Sequence, residues 1–389
     1  MKEWLAITWS ISNRYGWGVY GLNLALELIR RGTPVPVCLD EISTGSLSVD
    51  TVEMLQPLID FRKQNLQHLH RVGKVGTLKN TLALHSMGNN MEWGLLSHSF
   101  EGDANVGVVF FEDTEVTPEG LERISRLDGM VAGSTWNGEV LVEKGAKNVK
   151  TVFQGVDTNL FRPLPKKGMY KDNFVIFSGG KLDFRKGQDI VLAAFKIFAE
   201  RHDDAVLATA WHNLWPHTAL GFLHSPHTET LPKVDAKNCL KIIEWAGVNG
   251  VSPDRFIDLG LVRNEEMPEK LREMDLAVFP NRCEGGTNLV AMETMACGVP
   301  CIIAENTGQL DLTSDERCFV LKSQASVNLP LCGTDGWGEC SVDELVELME
   351  QAYQDRAAAQ RRGQAGAEFM RGWSWSNQIG KLLDSLEEF

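Results

Sequence analysis

The sequence lacks a long apolar run. Its first residues, MKEWLAITWSISNRYGWG, are interrupted by polar residues and glycine before the apolar region of a signal peptide would be complete. No later run approaches the length that a membrane-spanning helix needs. These absences predict a cytoplasmic protein.

Positive charge is also scarce. The chain has 38 Lys and Arg against 52 Asp and Glu, a formal net charge of -14, whereas proteins that wrap nucleic acid usually carry the opposite sign. Its 8 cysteines show no CxxC spacing and are too sparse for a disulfide scaffold. We therefore expect reduced thiols and no nucleic-acid partner.

The length and the hydrophobic pattern predict two α/β domains. A chain of 389 residues exceeds what one hydrophobic core usually organises. Short runs rich in Val, Ile, Leu and Phe alternate with stretches of helical period, as in parallel sheets with crossover helices. The predicted strands are WLAITWS, PVPVCLD, TLALHS, NVGVVFF, GMVAGS and VKTVFQ, then FVIFSGG, AVLATAW, FIDLGLV, LREMDLAVFP and GVPCIIA.

The stretch NLFRPLPKKGMYKDN, residues 159–173, has the composition of a linker between the two series of strands. It predicts an N-terminal domain over residues 1–165 and a C-terminal domain over 166–372. Residues 342–370 are predicted as a helix, and residues 373–389 as a last amphipathic one.

The loop after FVIFSGG is basic. Ligands of open parallel sheets bind beyond the carboxyl ends of the strands. Gly180 is followed there by Lys181, Arg185 and Lys186, and the loop leads into a helix whose free N–H groups favour a phosphate. A solvated basic turn would explain any one of these cations. Three of them in an acidic chain favour a diphosphate site.

The loop NRCEGGTNLVAMETMACGVP, after LREMDLAVFP, offers carboxylates beside a glycine pair. Six of its residues are candidate ligand contacts: Glu284, Gly285, Gly286, Thr287, Asn288 and Glu293. Glycine lets backbone approach a ligand, Thr and Asn are favoured helix caps, and a carboxylate accepts two hydrogen bonds from sugar hydroxyls. A capped surface helix is the alternative interpretation.

The segment CEGGTNLVAMETMACGVPCIIAENTGQLDL resembles the retaining GT-B glycosyltransferases of the group four family, which includes many bacterial polysaccharide and lipopolysaccharide sugar transferases. SGGKLDFRKGQDIVLAAF and FQGVDTNLFRP are similar to two further motifs of that family, in the same order. The resemblance covers nearly the whole chain. It implies two Rossmann-like doubly wound domains facing a central crevice, with residues 373–389 crossing back to the N-terminal domain.

The resemblance also implies roles for matching residues. Lys181 and Lys186 match two cations on the donor diphosphate, although the first is more often Arg. Glu284 matches a carboxylate on the transferred sugar, and Glu293 one on the ribose. Gly286, Thr287 and Asn288 match the turn of the family whose backbone faces the sugar and the phosphate. This chain departs from the pattern by one extra residue between the two glutamates.

The N-terminal half matches less closely. Gly16 and Gly18 resemble the first Gly-rich loop of the family, which implies that backbone approaches the donor diphosphate there, and a plain tight turn is the alternative. Where many relatives have a His, this chain has Glu112 or Asp113. Glu112 is a candidate to accept the proton of an acceptor hydroxyl, and a carboxylate that caps the next turn is an equal alternative. His85 is expected to be structural.

Four histidines fall in one loop region: His212, His217, His224 and His227. Their spacing matches no compact metal site, and a surface loop with Trp211 and Trp215 packed beneath it is the favoured interpretation. The resemblance implies no catalytic metal and no cofactor. The donor substrate that the resemblance implies is a nucleotide-diphosphate sugar.

The basic stretch from Arg62 to Asn80 is a solvated face or faces an anionic acceptor or membrane. The resemblance implies a retaining hexosyltransferase of bacterial surface polysaccharide, lipopolysaccharide or glycoconjugate synthesis. The expected acceptor is a glycan, a lipid-linked molecule or another compound with a hydroxyl group. A lipid-linked acceptor would bring the protein into peripheral contact with the inner face of the cytoplasmic membrane. An NAD-dependent oxidoreductase is the alternative enzyme class, and GWGVYG at residues 16–21 matches its GxGxxG signature, but a lone GxGxxG is weak evidence beside three ordered motifs that resemble the glycosyltransferases. A non-catalytic sugar-nucleotide binding module remains the alternative.

Overall fold

A computed structural model describes residues 2–69, 75–212 and 214–389. The chain divides into two compact units. The first runs up to Gly155 and includes Trp373–Phe389, and the second is Val156–Gly372. Residues 70–74, in the middle of the basic stretch, lie outside the described residues.

The first unit is a six-stranded parallel sheet with helices. Its strands are β1 (Trp4–Ile7), β2 (Val35–Cys38), β3 (Gly76–Met87), β4 (Phe100–Val109), β5 (Gly129–Ala132) and β6 (Val149–Thr151). Its helices are α1 (Gly16–Arg31), α2 (Val49–Leu69), α3 (Pro118–Ser125), α4 (Thr135–Glu143) and, from the end of the chain, α11 (Trp375–Leu386). The strand order is β2-β1-β3-β4-β5-β6, with every pair parallel.

Helix α11 packs on α1, as the predicted crossover requires. The buried carboxylate of Glu27 on α1 accepts hydrogen bonds from Arg31 Nε (2.9 Å) and from Ser376 Oγ (2.9 Å). Helix α1 ends at Gly32, which adopts a left-handed φ of 79° that glycine tolerates.

The second unit contains another six-stranded parallel sheet and a short antiparallel hairpin. Its strands are β7 (Phe174–Gly179), β8 (Ala205–Ala210), β9 (Phe256–Asp258), β10 (Leu276–Phe279), β11 (Cys301–Ala304) and β12 (Phe319–Leu321), with β13 (Gln324–Ser326) and β14 (Gly338–Cys340) forming the hairpin. Its helices are α5 (Gln188–Ala199), α6 (Ile242–Val248), α7 (Met267–Leu271), α8 (Leu289–Ala296), α9 (Val342–Gln354) and α10 (Arg356–Arg371).

The single helix predicted over residues 342–370 is wrong, because it is two helices that break at Asp355. Asp355 has φ -118° and ψ 72°, outside the helical region, and its side chain accepts a hydrogen bond from Ala358 N–H. A residue that reads as an ordinary surface position thus ends α9 and caps α10.

The boundary between the units falls at 155/156, ahead of the one placed at 165/166 from the linker composition. Arg272 of the second unit holds the intervening segment, since its side chain donates to Leu160 O (2.8 Å) and Arg162 O (2.9 Å). Leu160 and Arg162 therefore belong to the second unit. Across the part of the chain that the structure describes, we find no helix both long and apolar enough to cross a membrane.

Candidate functional site

The sheet of the second unit has a topological switch point. Its strand order is β12-β11-β10-β7-β8-β9. After β7 the chain adds β8 and β9 on one side of that strand, and it then crosses to add β10 on the opposite side. Ligands of open α/β sheets bind beyond the carboxyl ends of the strands at such a point. The basic loop after β7 and the Gly-rich loop after β10 both lie there.

The two loops meet in a buried ion-paired cluster around Glu284, which is only 5% exposed. Lys186 Nζ donates to Glu284 Oε1, and Arg185 Nη1 donates to Glu284 Oε2 at 3.1 Å. Asn281 Nδ2 donates to the same carboxylate. Three of the residues predicted from separate motifs are thus brought together. Asn281 was not identified from the sequence.

Asp183 extends this cluster to the third predicted cation. Its carboxylate lies 3.2 Å from Lys181 Nζ and 3.5 Å from Arg185 Nε. Asp183 also caps the short turn Phe184–Lys186 by accepting from Arg185 N–H. Gly180, with φ 108°, precedes these residues, and the Lys186 side chain passes close to it. All three cations therefore have carboxylate partners inside one loop cluster.

The Glu284 carboxyl stays ionised despite its burial. Burial alone would raise its pKa, but the positive charges of Lys186 and Arg185 outweigh burial and hold the pKa of Glu284 below its ordinary value. A carboxylate and two cations are thus preorganised at a site that excludes most water. Charges arranged in this way interact strongly with a charged ligand.

The loop after β11 fixes the position of the Gly-rich turn through hydrogen bonds. Glu284 N–H donates to Thr307 Oγ1 (2.9 Å), and Gly308 N–H donates to Glu284 O (2.9 Å). A Cβ atom at Gly308 would lie 1.9 Å from Gly286 O, so only glycine fits there. Neither Thr307 nor Gly308 was singled out from the sequence. Their position after the strand GVPCIIA, next to β10 in the sheet, is the signal that could have identified them.

The remaining predicted turn residues form the start of α8. Gly285 and Thr287 are buried, and Thr287 Oγ1 donates to Met292 Sδ (3.0 Å). Asn288 is the N-cap predicted from the sequence, since its Oδ1 accepts from Ala291 N–H. Its φ is 64°, a conformation that Asn tolerates better than most residues.

Glu293 lies one turn into α8 and makes a different set of contacts. Asn264 Nδ2 donates to Glu293 Oε1 at 3.0 Å. Burial raises the pKa of the Glu293 carboxyl to about 7, against the opposing effect of Asn264. In contrast with Glu284, this carboxyl changes charge close to neutral pH.

In the first unit the predicted Gly-rich loop has a steric explanation. A Cβ atom at Gly18 would lie 2.7 Å from Ser12 Cβ and 2.8 Å from Ser12 O. Gly18 therefore lets the start of α1 pack on the segment that follows β1. Gly16 is the first residue of α1. This packing supports the tight-turn alternative without testing whether a ligand also approaches.

His85 is a buried member of the sheet in the first unit. Its ring nitrogens lie 3.0 Å from Ser97 O and 3.0 Å from Asn105 Oδ1. Burial lowers its pKa. These contacts agree with the structural role expected for His85.

Glu112 follows β4 and is half-buried. Its backbone N–H donates to Asn89 Oδ1 at 2.8 Å, and the N–H of Asp113 contacts the same oxygen at 3.2 Å. The amide side chain of Asn89 therefore fixes the backbone at the position where relatives of the resembled family place a His. A base and a capping role both remain compatible with this geometry.

Two of the four loop histidines, His212 and His227, contact different carboxylates. His212 Nε2 lies 2.8 Å from Asp258 Oδ2, and His227 Nε2 lies 2.9 Å from Glu339 Oε1. Within residues 2–69, 75–212 and 214–389, no group of three or more His, Cys, Asp or Glu could hold a metal ion. Trp211 is fully buried, as expected, but the expectation for Trp215 is wrong, because it is 42% exposed.

Comparisons with known proteins relate part of the second unit to a glycosyltransferase family. Residues 234–328 match the family model described as Glycosyl transferases group 1. Mannosylfructose-phosphate synthase of Agrobacterium fabrum is 27% identical over 46% of this chain, and D-inositol 3-phosphate glycosyltransferase 1 of Catenulispora acidiphila is 26% identical over 67% of it. The alignments cover only 38% and 57% of those two relatives.

Solved structures show the same fold over the whole chain. The crystal structure of Anabaena HepE in complex with UDP and glucose has a TM-score of 0.62 at 14% identity and is covered in full, as is this chain. Sucrose-phosphate synthase from Thermosynechococcus elongatus also has a TM-score of 0.62 at 14% identity, over 99% of each chain. Two parallel Rossmann-like sheets with these neighbours define the GT-B fold.

The chain therefore has the GT-B fold, and its residues 234–328 match the group 1 glycosyltransferases.

Proposed function

We propose that this protein transfers a hexose-type sugar from a nucleotide-diphosphate sugar to an acceptor hydroxyl, with retention at the anomeric carbon and without a catalytic metal. The observation that carries the proposal is the cluster of Lys186, Arg185 and Glu284 at the switch point of the second sheet. It combines cations for a diphosphate with a carboxylate for sugar hydroxyls.

The diphosphate is the leaving group of this reaction, and negative charge grows on it as the bond to the sugar breaks. In our proposal Lys181, Arg185 and Lys186 stabilise that charge, together with the N–H groups at the start of α8. Because Asp183 and Glu284 already hold these cations in place, the cations need little rearrangement as the charge develops. This stabilisation is the main catalytic effect that we expect.

The two glutamates hold different parts of the donor. Glu284 accepts hydrogen bonds from hydroxyls of the transferred sugar, because its carboxylate lies beside the cations that bind the diphosphate. Glu293 accepts from the ribose hydroxyls. Each carboxylate accepts two hydrogen bonds, which suits neighbouring hydroxyls of a ring.

For the acceptor, we propose the first unit as its binding domain and Glu112 as the group that orients the attacking hydroxyl or accepts its proton. Names of relatives support a hydroxyl acceptor on a polyol or glycolipid. They include a D-inositol 3-phosphate glycosyltransferase and a phosphatidylinositol monomannoside mannosyltransferase. Synthesis of a glycan or lipid-linked glycoconjugate at the inner face of the cytoplasmic membrane follows as part of the proposal.

Thermal stabilisation by nucleotides is the first test. The protein is heated with UDP, GDP, ADP or dTDP, with and without attached sugars, since a ligand that binds only the folded form raises its apparent stability. A shift with one nucleotide, followed by transfer from the matching sugar nucleotide, is the expected result. No shift with any of them would contradict the donor site, and a shift without transfer would favour a non-catalytic binding module.

Glu293 predicts a pH dependence. Its pKa of about 7 lies above the ordinary value of 4.5, so the folded state binds an extra proton between these pH values, and stability falls as pH rises through that window. Ribose hydroxyls that donate to Glu293 favour its ionised form, so nucleotide binding near pH 6.5 is expected to release protons. Calorimetry in two buffers with different ionisation enthalpies measures that release.

The matched variant for this measurement is Glu293→Gln, which keeps the shape of the side chain and removes its titration. Its stability relative to the wild-type protein should rise between pH 5 and pH 8, and the proton release should disappear. Equal proton release in both proteins would show that Glu293 is not the group involved.

A further inference from the structure

Arg282, two residues before Glu284, is fully buried with every N–H donor engaged. Nη1 and Nη2 donate to the two oxygens of Asp189 at 2.8 and 2.7 Å, and both side chains have no exposed surface. Nη1 also donates to Phe184 O (2.6 Å), and Nε and Nη2 donate to Glu339. No sequence motif marked Arg282.

Contacts of Arg282 connect the two loops of the proposed donor site. Arg282 N–H donates to Arg185 O at 2.7 Å, and its guanidinium lies 3.8 Å from the centre of the Phe184 ring. Phe184 and Arg185 directly precede Lys186. One side chain therefore contacts the turn that carries Lys186 while its own backbone leads into Glu284.

The backbone of Arg282 and the carboxylate partners of its side chain contact two further segments. Gly338 N–H in the β13–β14 hairpin donates to Arg282 O at 3.0 Å, and Glu339 also lies 2.9 Å from His227 Nε2. Asp189 accepts from Ser225 Oγ at 2.5 Å. The network thus joins the hairpin and the loop before α6 to the donor site.

We propose that Arg282 is the positioning residue that holds Lys186 and Glu284 in the geometry required for donor binding and transfer. The inference rests on the proposed function, because it assigns Arg282 a role in that reaction through residues that touch the donor. A planar fork is needed here, because Asp189 and Glu339 are engaged from two edges of one guanidinium. Lysine keeps the charge but cannot reproduce that geometry.

The test compares Arg282→Lys with Arg255→Lys. Arg255 also donates from Nη1 to two backbone oxygens, Ala199 O and His202 O, and pairs with Asp203, but it lies at the amino edge of the same sheet. Hydrogen exchange of residues 180–188 and 281–288 measures loop order, and steady-state kinetics measures kcat and KM for the donor. In Arg282→Lys we expect about tenfold faster exchange in both loops and about a 100-fold lower kcat, the size of effect that a displacement of about 1 Å produces. Arg255→Lys should change neither.

Unchanged exchange in the two loops would overturn the inference, and so would loosened loops with an unchanged kcat, or an equal loss of kcat in Arg255→Lys. If the wild-type protein transfers no sugar, the proposed function fails, whereas the exchange comparison still decides whether Arg282 orders the loops. If Arg282→Lys does not fold, Glu339→Gln carries the same test, since that side chain is 23% exposed at the outer end of the network.

Discussion

Lys186→Ala is expected to lower kcat by roughly 10² to 10³-fold, the usual cost of removing one group that stabilises developing charge in a transition state. Lys186 is the most enclosed of the three cations, with 11% of its side chain exposed, against 14% for Arg185 and 33% for Lys181. A charge in such surroundings acts on the departing diphosphate with little screening. Steady-state kinetics with the donor found in the nucleotide screen measures the loss.

The fold should survive this change, because Glu284 keeps Arg185 and Asn281 as partners. Circular dichroism and thermal unfolding check that point. Lys322→Ala is the matched control, since Lys322 forms an exposed pair with Asp315 on the same unit and should leave kcat unchanged. A folded Lys186→Ala protein with wild-type kcat would contradict the proposed function.

Much of the sheet architecture could be predicted from the sequence. Parallel strands buried on both faces are continuous apolar runs, and FVIFSG and LAVF are buried throughout in the structure. The loops that follow such runs lie at the carboxyl edge of the sheet. For this reason the sequence led to Lys186 and Glu284 before any contact between them was known.

The contacts within the site could not be predicted in the same way. Lys186 and Glu284 are 98 residues apart, and they meet only because β10 pairs with β7 in the sheet. In the sequence, nothing distinguishes Arg282 from other polar loop residues. Its partner Glu339 lies on a hairpin whose sequence has no strong hydrophobic pattern. Local patterns carry no information on such pairings, which depend on strand order.

Glycines were the most ambiguous residues. Gly18 and Gly308 each leave no room for a Cβ atom, one against Ser12 and the other against Gly286 O. The sequence leaves Gly18 open between close approach to a ligand and a tight turn, and no pattern in it points to Gly308. A glycine shows that something approaches closely, but only the fold shows whether that neighbour is a ligand or the protein's own backbone.

Glu284→Gln is expected to change two measurements in opposite directions. In the ligand-free protein the Glu284 carboxylate offsets part of the positive charge of Lys186 and Arg185, so glutamine leaves more positive charge for a diphosphate to balance. The nucleoside diphosphate product should therefore bind about tenfold more tightly, a difference of about 1.4 kcal/mol. Transfer should nevertheless fall roughly 100-fold, because the sugar loses its carboxylate partner.

Calorimetry with the nucleoside diphosphate and steady-state kinetics separate these two effects. The matched control is Glu350→Gln, which removes a carboxylate that pairs with Arg201 and His202 elsewhere on the second unit and should change neither measurement. Lys186→Ala should weaken binding of the same nucleoside diphosphate, so the two variants are predicted to move its affinity in opposite directions. Weaker binding by Glu284→Gln would mean that the carboxylate and the phosphates do not share these cations, and Glu284 would then have to act on the donor in another way.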